Sequence, residues 1–365
     1  MKFFLSLILF INFTFASVVK IIVTGDIMTH KPQLDYARFY DKNNSGFDFS
    51  AQFSNIKEFL KSADLVIGNF ESSSNPNLIY KGYPLFNTPA EIFKALKDAG
   101  FHALSTANNH ALDGGIDGVL TTNKAIENAG LFSFGTGKGN KFKLLEVKGV
   151  KIGLLSYSYG YNGLENSLNY EEKNLLNFLD EEKIKSDIDK LLSYGADFIV
   201  VFPHWGIEYQ SYSNKNQQNL AKKIISFGAN AIIGNHPHVS QDIAWYNQNG
   251  FIAYSCGNFI SNQRVETINN IESEQSVAYE ILISKDENST KIVDIFYNPL
   301  WINPVFENGK KTIKVFLAKD IINENYDKNS TKFLIDNPKT RAKKAYENIK
   351  RKIFGIWCVI VAIKR

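Results

Sequence analysis

The stretch LSTANNHALDGG (104–115) decides how the rest of the chain is read. An apolar, strand-like run (101–105) gives way to two asparagines and a histidine, then to an aspartate and two glycines. Side chains that can bind a cation or carry a proton are costly at the end of a buried strand unless they meet partners. The chain must therefore supply those partners from other segments.

Four more segments share this grammar. Residues 18–24 (VVKIIVT) end at Gly25-Asp26, and 64–68 (DLVIG) run into Asn69-Phe70-Glu71. Residues 197–202 (DFIVVF) lead to Pro203-His204-Trp205-Gly206, and 230–234 (NAIIG) to Asn235-His236-Pro237-His238. Between them, 90–99, 118–129, 183–193 and 218–227 carry apolar residues at helical spacing. Strands alternating with helices predict an α/β fold with buried, partly parallel strands. A second class of strands forms hairpins: 142–159 turning at Lys148-Gly149, 241–254 turning at 247–250, and 276–300 turning around 286–288. Two mixed sheets packed between helices accommodate both classes.

With 365 residues, 44% of them hydrophobic, the chain can bury a large core. A net charge of +4 from dispersed charged residues gives no basic stripe, so nucleic acid is not expected as a partner. Met1-Lys2, an apolar run (3–11) and small residues at Thr14 and Ala16 predict a secretory signal over 1–16, the alternatives being an uncleaved anchor or a buried first strand. The mature chain is then expected across the inner membrane, in the periplasm or cell envelope. Two cysteines are too few for a disulfide framework. The domain is expected over 17–304, followed by an extension (305–365) with a charged helix near 341–352. Its apolar end (353–363) is shorter than a bilayer span and fits a packed tail or a weak membrane contact.

Six histidines are present, and His110, His204, His236 and His238 all stand at strand ends. In open α/β sheets, ligands gather at the carboxyl ends of strands. Singly, each residue has an ordinary reading: Asp26 a turn, Glu71 a solvated carboxylate, Asn109 a helix cap, His204 a core imidazole. Jointly, Asp26, Glu71, Asn109, His204, His236 and His238 form a candidate metal-ligand set. Nitrogen and oxygen donors without thiolate suit one or two divalent ions of manganese, zinc or iron. Two adjacent ions bridged by a carboxylate would activate water and clamp a phosphoryl or acyl oxygen. His110 is the candidate proton donor and Asp113 the residue that fixes its tautomer. Trp205, Tyr209 and Asn69 are candidate substrate contacts. Tyr83 and Phe86 fit either a groove wall or core packing.

The ordered motifs GDIM (25–28), NFES (69–72), ANNHALDGG (107–115), HWGIEY (204–209), GNHPHVSQ (234–241) and GNF (257–259) resemble the bacterial CapA/PgsA-type capsule synthesis family. That resemblance implies a metallophosphoesterase-like domain, distantly related to calcineurin-like phosphoesterases. It therefore implies a four-layer α-β-β-α sandwich, a cell-envelope polymer such as poly-γ-glutamate or its phosphorylated carrier as substrate, and membrane-bound capsule assembly proteins as partners. Two positions depart from the relatives' pattern. Met28 stands where a ligand histidine belongs, and Asn69 or Glu71 where a bridging aspartate belongs. The implied activity is metal-dependent hydrolysis or transfer; the alternative is a non-catalytic accessory protein that uses the cleft for binding.

Overall fold

The computed structural model describes residues 17–355, apart from 42–43, 140, 247–249, 288 and 308. The expected signal (1–16) and residues 356–363 of the apolar tail lie outside the described residues. The first strands in chain order are β1 (Ser17–Ile27), β2 (Arg38–Asp41), β3 (Asn44–Phe47), β4 (Leu65–Phe70), β5 (Ala103–Ser105) and β6 (Phe132–Phe134). They are followed by β7 (Lys143–Val147), β8 (Val150–Ser158), β9 (Phe198–His204), β10 (Ala231–Ile233), β11 (Ile243–Tyr246) and β12 (Gly250–Ala253). The last are β13 (Asn258–Ile260), β14 (Gln275–Lys285), β15 (Thr290–Glu307), β16 (Lys310–Leu317) and β17 (Thr331–Phe333).

Two mixed sheets form, as expected. The first runs β16-β15-β14-β1-β4-β5-β6, with β13 also paired to β1 and β17 to β15. The second runs β11-β12-β10-β9-β8-β7. β1, β4, β5 and β6 are parallel, whereas β14 joins β1 antiparallel. In the second sheet β8, β9, β10 and β12 are parallel, flanked by the antiparallel hairpin partners β7 and β11.

Side-chain alternation along the strands builds the layers. In β1, Val19, Ile21 and Val23 enter the core between the sheets, while Ile22 faces the other side. There it meets Phe93 and Leu96 of helix Glu91–Ala99 and Ile126 of helix Gly115–Asn128. In β9, Phe198, Val200 and Phe202 face the inter-sheet core. Ile199 and Val201 face Ile184 and Ile188 of helix Glu181–Ser193 and Ile224 of helix Lys215–Ser226. The result is a helix-sheet-sheet-helix stack of four layers.

The domain end expected at 304 is corrected by the structure. β15 runs unbroken through that point, and β16 and β17 extend the same sheet. Helix Pro338–Phe354 packs Ala342 and Ala345 against Trp301 and Phe316. The described part of 305–365 is thus integral to the fold. Asn303-Pro304 looks like a break in the sequence, yet Pro304 sits in register opposite Ile313 within the sheet.

Candidate metal centre

The carboxyl ends of β1, β4, β5, β9 and β10 open on one crevice. Two bare glycines let the backbones meet there. A Cβ on Gly25 would lie 1.7 Å from Gly257 O, and one on Gly234 would lie 1.9 Å from Tyr254 O. That close approach lets Asp26 N–H donate to Gly257 O at 3.0 Å, which sets the turn presenting the carboxylate.

Asp26 is fully buried and accepts from Asn69 Nδ2 at 2.8 Å and from the His236 backbone N–H at 3.2 Å. Its Oδ2 lies 3.5 Å from His238 Nδ1. Burial alone would raise its pKa, but His238 and His204 together hold it below the ordinary value. His204 places Nε2 2.7 Å from Asn109 Oδ1 and 3.5 Å from Glu71 Oε1, while Asn69 Nδ2 approaches its Nδ1 at 3.4 Å. Burial pushes the His204 pKa down to about 3 and that of His236 to about 2, so both imidazoles are neutral donors. His236 and His238 hold left-handed backbone (φ 98° and 58°), a strain that non-glycine residues keep when the surroundings fix them for a purpose.

Glu71 is the anomaly that gives the site its meaning. It is fully buried, and among the described residues neither of its oxygens accepts a hydrogen bond. Burial and the neighbouring Asp26 charge push its pKa well above the usual carboxylate range. Its ligand atom lies within 4.8 Å of those of His204 and His236, and likewise of those of Asp26 and His238. A carboxyl so placed is stabilised either by a proton or by a bound cation. In its absence His238 keeps a proton up to about 9: burial disfavours that charge, but Glu71 and Asp26 outweigh it. The donor set therefore fits two adjacent divalent ions sharing Glu71, with Asn109 beside His204.

His110 and Asp113 adjoin this set. Asp113 Oδ2 lies 2.7 Å from His110 Nδ1 and accepts Phe86 N–H at 2.6 Å. His110 also stacks edge-on against buried Phe86 at 4.7 Å. His110 and Asn109 line a cleft of about 300 Å³ with Tyr83, Asn162, Leu164 and Glu208.

The expected substrate contacts divide. Tyr209 is 37% exposed, with its ring 6.0 Å from that of His238. Trp205 does not reach the cleft: it is buried on the helix side, with Nε1 donating to Tyr254 O at 2.9 Å. Asn69 is 1% exposed and braces Asp26. Met28 is buried, and His30 turns elsewhere, accepting Asn262 N–H on Nδ1 at 3.2 Å. Sequence reasoning overlooked Asn258, whose Oδ1 lies 3.1 Å from His238 Nδ1 and whose Nδ2 donates to His238 O at 3.2 Å. It also overlooked Tyr159, 4.7 Å from the His236 ring. The GNF motif was the available signal for Asn258.

Comparison with known proteins follows the same residues. The chain is 32% identical over 254 residues to the capsule biosynthesis protein CapA of Bacillus anthracis, covering 66% of this chain and 59% of that protein. It is 32% identical over 252 residues to the PGA biosynthesis protein CapA of Bacillus subtilis, covering 66% and 62%. The chain thus spans about three fifths of the length of these relatives. Among solved structures, the calcineurin-like phosphoesterase YfkN of Bacillus subtilis aligns with 92% of this chain and 98% of its own, at a TM-score of 0.44 and 19% identity. Likeness of that degree says nothing about chemistry. The model of the bacterial capsule synthesis protein family PGA_cap matches residues 20–263, a span that holds every motif from GDIM to GNF. The chain belongs to that family.

Proposed function

We propose that the chain is a metal-dependent hydrolase or transferase that acts outside the cytoplasm on a cell-envelope polymer or its phosphorylated carrier. The observation that carries this reading is Glu71, buried without a hydrogen bond between Asp26 and three histidines. Asp26, Glu71, Asn109, His204, His236 and His238 would hold one or two ions of manganese, zinc or iron. Bound there, such ions would supply Lewis acidity toward a phosphoryl or acyl oxygen and an activated water. The protein's own part is proton handling and placement. With Nδ1 engaged by Asp113, His110 has Nε2 left to give a proton to a leaving group. The capsule and PGA biosynthesis names of the relatives, with the predicted signal over 1–16, support an envelope substrate and membrane-bound assembly partners. Among the described residues no helix is long and apolar enough to cross a membrane.

A second reading rests on Met28, which stands buried where the relatives' pattern has a ligand histidine. In that reading the chain is an accessory protein that binds polymer or partner without catalysis. Metal analysis of the purified protein, paired with hydrolysis of bis-p-nitrophenyl phosphate and of isolated envelope polymer with and without chelator, decides between them. Bound metal with chelator-sensitive turnover supports the enzyme. No metal and no turnover leaves the accessory protein.

A further inference from the structure

Glu208 has no part in the ligand set read from the sequence, yet its carboxylate lies within 4.8 Å of ligand atoms of both His236 and His238. Those two histidines belong to different halves of the centre: His236 groups with Glu71 and His204, and His238 with Glu71 and Asp26. Glu71 is shared by both halves from the buried side. Glu208 is an exposed carboxylate within 4.8 Å of a ligand atom of each half, and it lines the cleft beside His110. His236, 4% exposed, keeps an Nδ1 without a hydrogen-bond partner among the described residues.

We propose that Glu208 is a second shared carboxylate, placed on the solvent side of the two metal positions and displaceable by an anionic substrate group. This rests on the metal-centre reading above. The chemistry favours it in two ways. The half built from Asp26, Glu71 and His238 has Met28 where another imidazole is expected, and a thioether is a weak donor for a hard ion. Glu208 restores a hard oxygen donor to that half. Among the described residues that line the cleft with Glu208 there is no lysine or arginine. An anion entering the cleft must therefore compete with Glu208 for the bound cations. The geometry suits a substrate that brings its own oxygen donors, a phosphoryl or carboxylate group, and penalises neutral ligands.

The test uses the full chain, wild type and Glu208→Gln, with manganese and inorganic phosphate as probes. Calorimetric manganese titration should show one of the two ions bound about 10-fold or more weakly in Glu208→Gln. Phosphate should bind manganese-saturated Glu208→Gln several-fold more tightly than saturated wild type, because its competitor is gone. Glu165→Gln, which removes a neighbouring carboxylate outside the ligand groups, should match wild type in both. Glu208→Gln with unchanged manganese and phosphate affinities overturns the assignment of Glu208 alone. Wild type that binds no manganese, zinc or iron overturns both this assignment and the metal-centre reading.

Discussion

His110 Nδ1 and Asp113 Oδ2 lie 2.7 Å apart, and the same oxygen takes the Phe86 backbone N–H at 2.6 Å. The aspartate is thus fixed twice, once by the ring it orients and once by the loop that carries Tyr83. A carboxylate on Nδ1 selects the tautomer with a proton there and supports the charged ring when Nε2 is protonated. His110→Ala should leave metal content nearly intact while lowering turnover by about 10²–10⁴-fold, the usual size of a general acid's contribution. Asp113→Asn should give a smaller loss of the same kind. If His110→Ala strips metal as fully as His236→Ala does, His110 is a ligand and not the acid.

Glu71 supports a prediction about stability. Its buried carboxylate accepts no hydrogen bond among the described residues, faces Asp26, and has only the imidazoles of His204 and His238 at 3.5 and 3.8 Å. Glu71→Gln removes that burden but also removes the shared ligand. In chelator, Glu71→Gln should melt at or above the wild-type temperature. With manganese at about 100 times its dissociation constant, wild type should gain about 2.7 kcal/mol and the variant far less. Thermal denaturation with and without metal reads both effects. A variant that gains as much from manganese as wild type rules out Glu71 as a ligand.

Much of this centre was legible because metal-ligand residue types seldom gather at strand ends without a reason. Alternation along β9 carried more than was taken from it. Phe198, Val200 and Phe202 face the inter-sheet core, so the same period carries His204 to that side and Trp205 to the helices. Being next to a ligand suggested a substrate contact, whereas strand period assigns Trp205 to the core. Glu71 and Asn69 were not separable by type alone. The register that sets Asn69 beside Asp26 leaves Glu71 beyond the strand end, facing the histidines. Asn258 reaches the centre because β13 pairs with β1 and sets it beside Asp26, and Glu208 because the loop after β9 folds back over the histidines. Both depend on segments distant in the chain.

His102 offers a pH test away from the centre. Its Nδ1 accepts the Val66 N–H at 3.0 Å, which requires that nitrogen to be unprotonated. Burial, helped by Lys97, lowers its pKa from the ordinary 6.5. The unfolded chain therefore binds a proton that the folded chain refuses, and stability falls as pH drops from 6.5 toward the folded value. Buried His204 and His236 act in the same direction and His238 in the opposite one, so the readout is a difference. Urea unfolding of His102→Gln between pH 5 and 7 should show a shallower pH slope than wild type. Equal slopes would mean that His102 titrates alike in both states.

The C-terminal helix is expected to hold the metal loop in place. Lys352, on helix Pro338–Phe354, is almost wholly buried. Its Nζ donates to Ser240 O at 2.6 Å and pairs with Glu272 Oε2 at 2.7 Å. Ser240 stands two residues beyond His238, and Glu272 also accepts Ser211 Oγ at 2.6 Å, in the segment that follows Glu208. One ammonium thus ties together the two loops that flank the cleft. Lys352→Met keeps the apolar stem and deletes only the head. It leaves a buried carbonyl short of that donor and a carboxylate short of its partner, at a cost of about 1–3 kcal/mol. Because the loss falls on the turn that carries His238, metal affinity should drop along with melting temperature. Lys350→Met, exposed on the same helix, should change neither. If Lys352→Met binds manganese and melts like Lys350→Met, the helix covers the sheet without setting the site. If it loses stability but keeps full manganese affinity, Ser240 anchors the fold and the left-handed backbone at His236 and His238 holds the ligands unaided.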